Sequence, residues 1–370
     1  GGAIILSPIL GDDVRPGLEL GRNEIVTVAR IAFAAAAALA FAGLASAGER
    51  SGASEGAGEA SRAAPAGAGF ARDATPIPPL PLDGEASRAL EGDPQGLERS
   101  FGTLSRDRDG KETRRPASEA VKKVIGDGSA ALEAPPPGDA TGRQVFGADD
   151  RVQVTGTTAY PFRTIGLLQG EAPGGGVGNC SGTLIGPRTV LTAAHCLYSH
   201  DAGGWLDNLV FVPGLNGDRD APFGVYEFET AHIFDGYLSN YRGFYGSVVP
   251  WDIGVVILRE PAGERVGWMA FGYDDAGAGF DANIVGYPGD KPFGTMWHAS
   301  CDVAPEAVRA LYFQYLCDTY PGSSGSSVHI LDAAGGERTI YGVNVAESPA
   351  ANAAVRINPV YFAWLESLVR

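Results

Sequence analysis

The sequence predicts an all-β fold, and three observations carry that expectation. Short runs rich in β-branched and apolar residues follow one another between turn signals, with no long helical period between them. Fifty-three glycines and 25 prolines in 370 residues favour turns and tight loops over long helices. Large apolar residues are unevenly spread and gather after about residue 145, so the core is expected there.

The elements follow in chain order. Residues 22–47 have the pattern of a secretory signal: Arg22 and Arg30 flank its start, Ile31 to Leu44 is apolar, and Ala45-Ser-Ala47 is a small-x-small cleavage site. The apolar run is short for a membrane span. Residues 1–21 precede it without a methionine, which places the expected start of translation later, at Val26. From Gly48 to about Gln144 the composition turns to Ala, Gly, Ser, Glu and Pro, and Thr75-Pro-Ile-Pro-Pro-Leu-Pro81 favours polyproline II. Too few large apolar residues occur there to offset ordering entropy, so residues 48–144 are expected to be a disordered propeptide or linker. Ala117 to Ile125 is its one candidate helix. Order is expected from Val145, with strands at Thr164–Gln169, Gly182–Ile185, Thr189–Thr192, Asn208–Val212, Gly224–Phe228, Asp252–Leu258, Ala282–Val285, Ser326–Leu331, Thr339–Val345 and Ala354–Asn358.

The formal net charge is −16, and residues 145–370 hold 24 Asp and Glu against 12 Lys and Arg. Such acidity argues against nucleic acid and against an anionic membrane surface as partners.

Chemistry concentrates in three stretches. Cys317-Asp-Thr-Tyr-Pro-Gly-Ser-Ser-Gly-Ser-Ser-Val328 is a loop of small residues running into an apolar strand. Small residues let the chain turn sharply, expose one hydroxyl and leave N–H groups facing the space before it. Ser324 is the candidate nucleophile, with the amides of Gly322 and Ser324 as oxyanion donors. Gly/Ser turns are usually only turns, so the weight comes from a base and an acid elsewhere. Val190-Leu-Thr-Ala-Ala-His-Cys196 places His195 at a strand end among small residues, a setting that His200, His232, His298 and His329 lack. Pro250-Trp-Asp-Ile-Gly-Val-Val-Ile-Leu258 places Asp252 at the mouth of an apolar run, where a carboxylate is costly to bury without a partner such as His195.

The order His195, Asp252, Ser324, with these surrounding motifs, resembles the chymotrypsin-like serine proteases. Val285-Gly-Tyr-Pro-Gly-Asp-Lys-Pro292, Thr295-Met-Trp297 and Asp318-Thr319 narrow the resemblance to the secreted bacterial V8-like glutamyl endopeptidase family, over about residues 145–370. The resemblance implies two antiparallel β-barrels, with His195 and Asp252 from the first and Ser324 from the second. Tyr361 to Val369 carries apolar residues at helical spacing, which suits a C-terminal helix packed on the second barrel. It also implies a peptide or protein substrate, the protein's own propeptide as a second partner, a secreted monomer after signal removal, and no metal or organic cofactor.

Four cysteines in a secreted chain fit two disulfides, and spacing favours Cys180 with Cys196 and Cys301 with Cys317. Each closes about 16 residues, for which chain entropy gives about 3 kcal/mol. A zinc site lacks the CxxC or HxxxH spacing it would need. The family's mature chains commonly begin with a valine in similar context, which places the mature N-terminus at Val145. The activation switch of trypsin pairs a new N-terminal amine with an Asp just before the nucleophile; here that position is Ser323. For side-chain selection the glutamyl enzymes use a Thr, a His and the N-terminal amine. Thr319 and Val145 match two of these, but Asn344 stands where the histidine belongs, so a weakened Glu preference is expected. Asp318, six residues before Ser324, offers Arg/Lys selection as the second option; Asp-Thr at this place also occurs in glutamyl members, which implies instead a framework residue hydrogen-bonded away from the pocket. An inactive protease-like binding module and a serine esterase are the competing readings; the esterase would show Gly-x-Ser-x-Gly on an α/β pattern.

Overall fold

The computed structural model describes residues 3–5, 69–82, 94–126, 145–274, 277–331 and 338–370; the signal-like stretch 22–47 lies outside them. All ten expected strands are present, with ends shifted by a few residues. Six strands close a barrel in the order Asp207–Pro213, Ile165–Glu171, Val177–Leu184, Thr189–Thr192, Gly254–Leu258, Tyr226–Phe234, where Phe211 pairing with Tyr226 completes the ring. Residues on one face of these strands, such as Leu168, Val190, Phe211 and Val256, fill it, each buried. The pleat sends every second side chain inward, which is why these runs read as strands.

The second half is a twisted sheet in the order Ala270–Tyr273, Arg338–Glu347, Ser327–Leu331, Phe280–Gly286, Met296–Val303, Val152–Val154. Asn352–Arg356 also pairs with Arg338–Glu347 and carries Tyr312–Tyr315 on its far side. The resemblance implied two barrels. Only the first is closed by backbone pairing among the described residues. In the second, no ladder joins Met296–Val303 to Tyr312–Tyr315; the Cys301–Cys317 disulfide links this strand to the loop beyond its neighbour instead. The strand Val152–Val154 is anchored by a charge cluster around the buried Arg151, which meets the half-buried Asp149 at 2.8 Å and Asp290 at 2.5 Å. Hydrogen bonds from Arg151 and Lys291 hold the Asp149 carboxyl well below the usual carboxylate range, against the opposing effect of burial.

Residues 69–82 and 94–126, within the stretch expected to be a disordered propeptide or linker, pack on the rest of the chain. Thr103–Asp107 pairs with Tyr226–Phe234 of the first barrel, and Glu112–Arg115 pairs with it in turn as a hairpin. Phe101 is fully buried between Phe234, Trp251 and Tyr361, with ring centroids 5.3, 4.7 and 5.9 Å away. The helix Glu119–Gly126 matches the expected Ala117–Ile125 and buries Val121. The few apolar residues of this segment cannot make a core of their own. They complete one that belongs to the rest of the chain.

The terminal helix, Pro359–Leu368, is capped by Asn358, whose side chain accepts from the amides of Val360 at 2.9 Å and Tyr361 at 3.1 Å. It packs less one-sidedly than expected. Phe362 meets Phe271 of the second sheet, but Trp364 stacks near Phe234 and donates to Thr103 Oγ1 at 2.9 Å. Helical spacing gives a buried face without saying what covers it.

Two buried histidines make this packing sensitive to acid. Burial pushes His232, which meets Ser105 Oγ at 2.7 Å, down to about 4, and pushes His329 down to about 3. Below the unfolded value of about 6.5, the unfolded chain takes up protons that the folded chain refuses, so stability falls as pH drops. Each ring is expected to remove about 2 kcal/mol by pH 5. Urea unfolding at pH 7 and pH 5 measures this, and equal midpoints would mean that neither ring is held neutral.

Candidate active site

Pairing in the first barrel brings the base and the acid together. Thr192 pairs with Gly254, so His195, three residues after one, and Asp252, two residues before the other, meet at the same end. His195 lies in the single turn Ala194–Cys196 that follows the strand Thr189–Thr192. Gly254 lets the strand lie close to this turn, since a Cβ would lie 2.7 Å from Leu197 Cδ1 and 3.1 Å from Ala193 O. Asp252 is fully buried; its Oδ1 accepts from the His195 backbone amide at 2.8 Å, and its Oδ2 lies 2.6 Å from His195 Nδ1. A carboxylate only accepts, so Nδ1 holds the proton and Nε2 keeps its lone pair. The Cys180–Cys196 disulfide then fastens the residue after His195 to the neighbouring strand Val177–Leu184. Both pairings expected from spacing are present.

The serine loop is pressed onto the same strand end. Gly322 and Gly325 have φ of +97° and +81°, conformations that a side chain disfavours. A Cβ on Gly325 would lie 2.2 Å from Thr192 Oγ1 and 3.1 Å from Ala193 N, so its glycine is what lets the turn approach His195's strand. Ser181 holds the turn twice: its amide donates to Ser324 O at 2.8 Å, and its hydroxyl donates to Gly322 O at 2.9 Å. Ser324 Oγ and His195 Nε2 are both buried, and neither has a hydrogen-bond partner among the described residues. The nucleophile–base hydrogen bond is therefore not made in this arrangement.

The residues expected to select substrate also make structural contacts. Asp318 accepts from the backbone amides of Phe146 at 2.8 Å and Asp150 at 3.2 Å. Its carboxylate thus anchors the segment that begins at Val145. Asn344 accepts from Tyr315 OH at 2.5 Å and donates to Ser323 O at 3.1 Å. Both contacts tie Asn344 to the nucleophile turn and to the strand that carries Tyr315. Thr319 is buried in the same loop. Tyr315 and Ser181 were missed because nothing in their local sequence marks a residue that acts through tertiary contact.

Among the described residues, the one group able to gather around a metal is Cys180, His195 and Cys196, and its two sulfurs are joined to each other. They are not thiolate ligands.

Comparison with known proteins agrees with this geometry. A trypsin-like peptidase domain matches residues 180–335. The chain is 38% identical over 188 residues to a glutamyl endopeptidase of Bacillus licheniformis, covering 50% of this chain and 54% of that one. It is 32% identical over 189 residues to a Bacillus subtilis protein named as an extracellular metalloprotease, covering 50% and 57%. The chain spans about half the length of the curated relatives it matches. Among solved structures, a Glu endopeptidase in complex with MPD superposes with a TM-score of 0.52 at 25% identity, over 60% of this chain and 98% of that one.

Proposed function

We infer, from a chain whose residues 180–335 form a trypsin-like peptidase domain of the chymotrypsin-like, V8-like kind, that this protein is a secreted serine endopeptidase. The observation that carries the reading is the buried His195–Asp252 pair, with the Ser324 turn packed on the strand end that bears His195. Ser324 Oγ attacks the peptide carbonyl carbon while His195 Nε2 takes its proton. Asp252 fixes the tautomer and stabilises the imidazolium that forms. The amides of Gly322 and Ser324 receive the oxyanion, a contribution of about 2.7–4 kcal/mol per donor. His195 returns the proton to the leaving nitrogen, the amine departs, and water activated by His195 cleaves the acyl ester. Secretion is supported by the signal-like stretch 22–47.

For the residue before the cut bond, the reading is a weakened Glu preference. Asn344 carries no charge, and a charged hydrogen bond is roughly twice as strong as a neutral one. Arg/Lys selection ranks lower, because Asp318 is engaged by Phe146 and Asp150. Digestion of a peptide library by the secreted, processed protein tests this, with cleavage sites read by mass spectrometry. Glu is expected to be enriched but not obligatory. Strict Glu selectivity, or Arg/Lys selectivity lost in Asp318→Asn, would overturn the reading.

A further inference from the structure

The cleft beside His195 is occupied by the chain itself. Thr75–Pro76 pairs with Val177–Leu184 of the first barrel, and Leu80–Pro81 pairs with Arg338–Glu347 of the second sheet. The eight residues between and around these contacts therefore bridge the two halves that supply His195 and Ser324. Ile77 donates its amide to Asn179 O at 2.9 Å, and its carbonyl accepts from the Gly322 amide at 3.0 Å. That amide is one of the two candidate oxyanion donors. Leu82 donates to Glu347 O at 2.7 Å. The receptor is shaped to the segment: a Cβ on Gly178 would fall 2.7 Å from Ile77 Cδ1, and one on Gly289 would fall 2.1 Å from Pro76 Cγ. Leu80 and Leu82 are 3% and 0% exposed. A cavity of about 350 Å³ beside this segment is lined by His195, Tyr198 and Tyr245 together with Ile77 and Leu80.

Polarity separates this occupant from a substrate. The segment runs parallel to both strands that it meets, whereas their neighbours in the barrel and beside Ser327–Leu331 are antiparallel. A peptide extending the same two edges in antiparallel fashion would run the other way. Reversal exchanges the two substituents of the carbonyl held by Gly322, so the nitrogen that His195 must protonate lies where a substrate presents its Cα. That nitrogen belongs to Pro78, and Pro79 follows. Four prolines in residues 75–82 also stiffen the segment toward polyproline II, so little freedom is lost when it docks.

We propose that residues Thr75–Leu82 are a built-in inhibitor seated in reverse across the catalytic cleft, and that this cleft binds extended, proline-rich apolar peptides. The inference rests on the peptidase reading and adds how the enzyme is kept latent. The test compares the full chain with its Leu80→Asp/Leu82→Asp variant. Fluorophosphonate labelling of Ser324 is expected to be at least about tenfold faster in the variant, because the two buried leucines seat the segment. Ile77→Gly, which removes the side chain packed on Gly178, shifts labelling in the same direction and serves if the double variant does not fold. A fluorescent peptide with the sequence of residues 75–82 is expected to bind the variant, return its labelling to the parental rate and be recovered uncut. Equal labelling of parent and variants, with no peptide binding, overturns the inference and leaves the peptidase reading in place. Cleavage of the peptide after Ile77 overturns it also, by making the segment a substrate. Peptide binding with no labelling of any form upholds the seated segment and rejects the peptidase reading instead.

Discussion

Ser324→Ala is expected to reduce proteolysis by about 10⁴- to 10⁶-fold, because nucleophile and base act as a unit and removal of either removes the covalent route. His195→Ala is expected to be comparably severe for the same reason. Stability should move the other way. Ser324 is fully buried, and its hydroxyl has no hydrogen-bond partner among the described residues, so its removal deletes an unsatisfied polar atom. The variant is therefore expected to melt at the parental temperature or slightly above it. Casein digestion and a thermal melt of the same preparations give both readouts. More than about a tenth of parental activity would move the nucleophile elsewhere in the loop. A large fall in melting temperature would show that Ser324 is held by a partner the turn conceals.

Phe101→Ala is expected to destabilise the protein by about 3–5 kcal/mol, the usual cost of removing a fully buried aromatic ring. The ring sits against Phe234, Trp251 and Tyr361, and Trp251 directly precedes Asp252, so the loss falls on the wall behind the candidate acid. Urea unfolding measures it. A loss below about 1 kcal/mol would make residues 94–126 a detachable clip and not part of the core. The same packing has a consequence for processing. Cleavage before Val145 is expected to leave 94–126 attached without a covalent link, through the Thr103–Asp107 pairing, the Arg114–Asp235 ion pair at 2.9 Å and the Trp364–Thr103 hydrogen bond. Co-elution of two fragments after cleavage would show this. Release of a fragment that leaves a folded, active remainder would refute it. Only residues near 75–82, which bury two leucines and two short pairings, are then poised to leave the cleft.

The amino-acid sequence by itself determined the strands and the two disulfides, and it nominated the three residues of the candidate site. Each rests on a local signal: β-branched runs between turns, cysteines 16 residues apart, a histidine among small residues, a carboxylate before an apolar run, and a serine between glycines. Local signals survive because the chain's short-range chemistry does not depend on what packs around it. Only the tertiary structure decided what faces what. Asp318 and Asn344 carry the right chemistry for a specificity pocket, and they also hold backbone amides and Tyr315, partners that no sequence spacing reveals because they lie about 170 or 29 residues away. The segment 94–126 reads as too poor in apolar residues to fold, which is true of it alone; it becomes ordered by lending Phe101 and Leu104 to a core built elsewhere. Thr75-Pro-Ile-Pro-Pro-Leu-Pro81 reads as a stiff extended linker. Its extension was legible, but its place in the cleft depends on Gly178, Gly289 and Gly322 converging from three distant stretches, and that convergence exists only in the folded molecule.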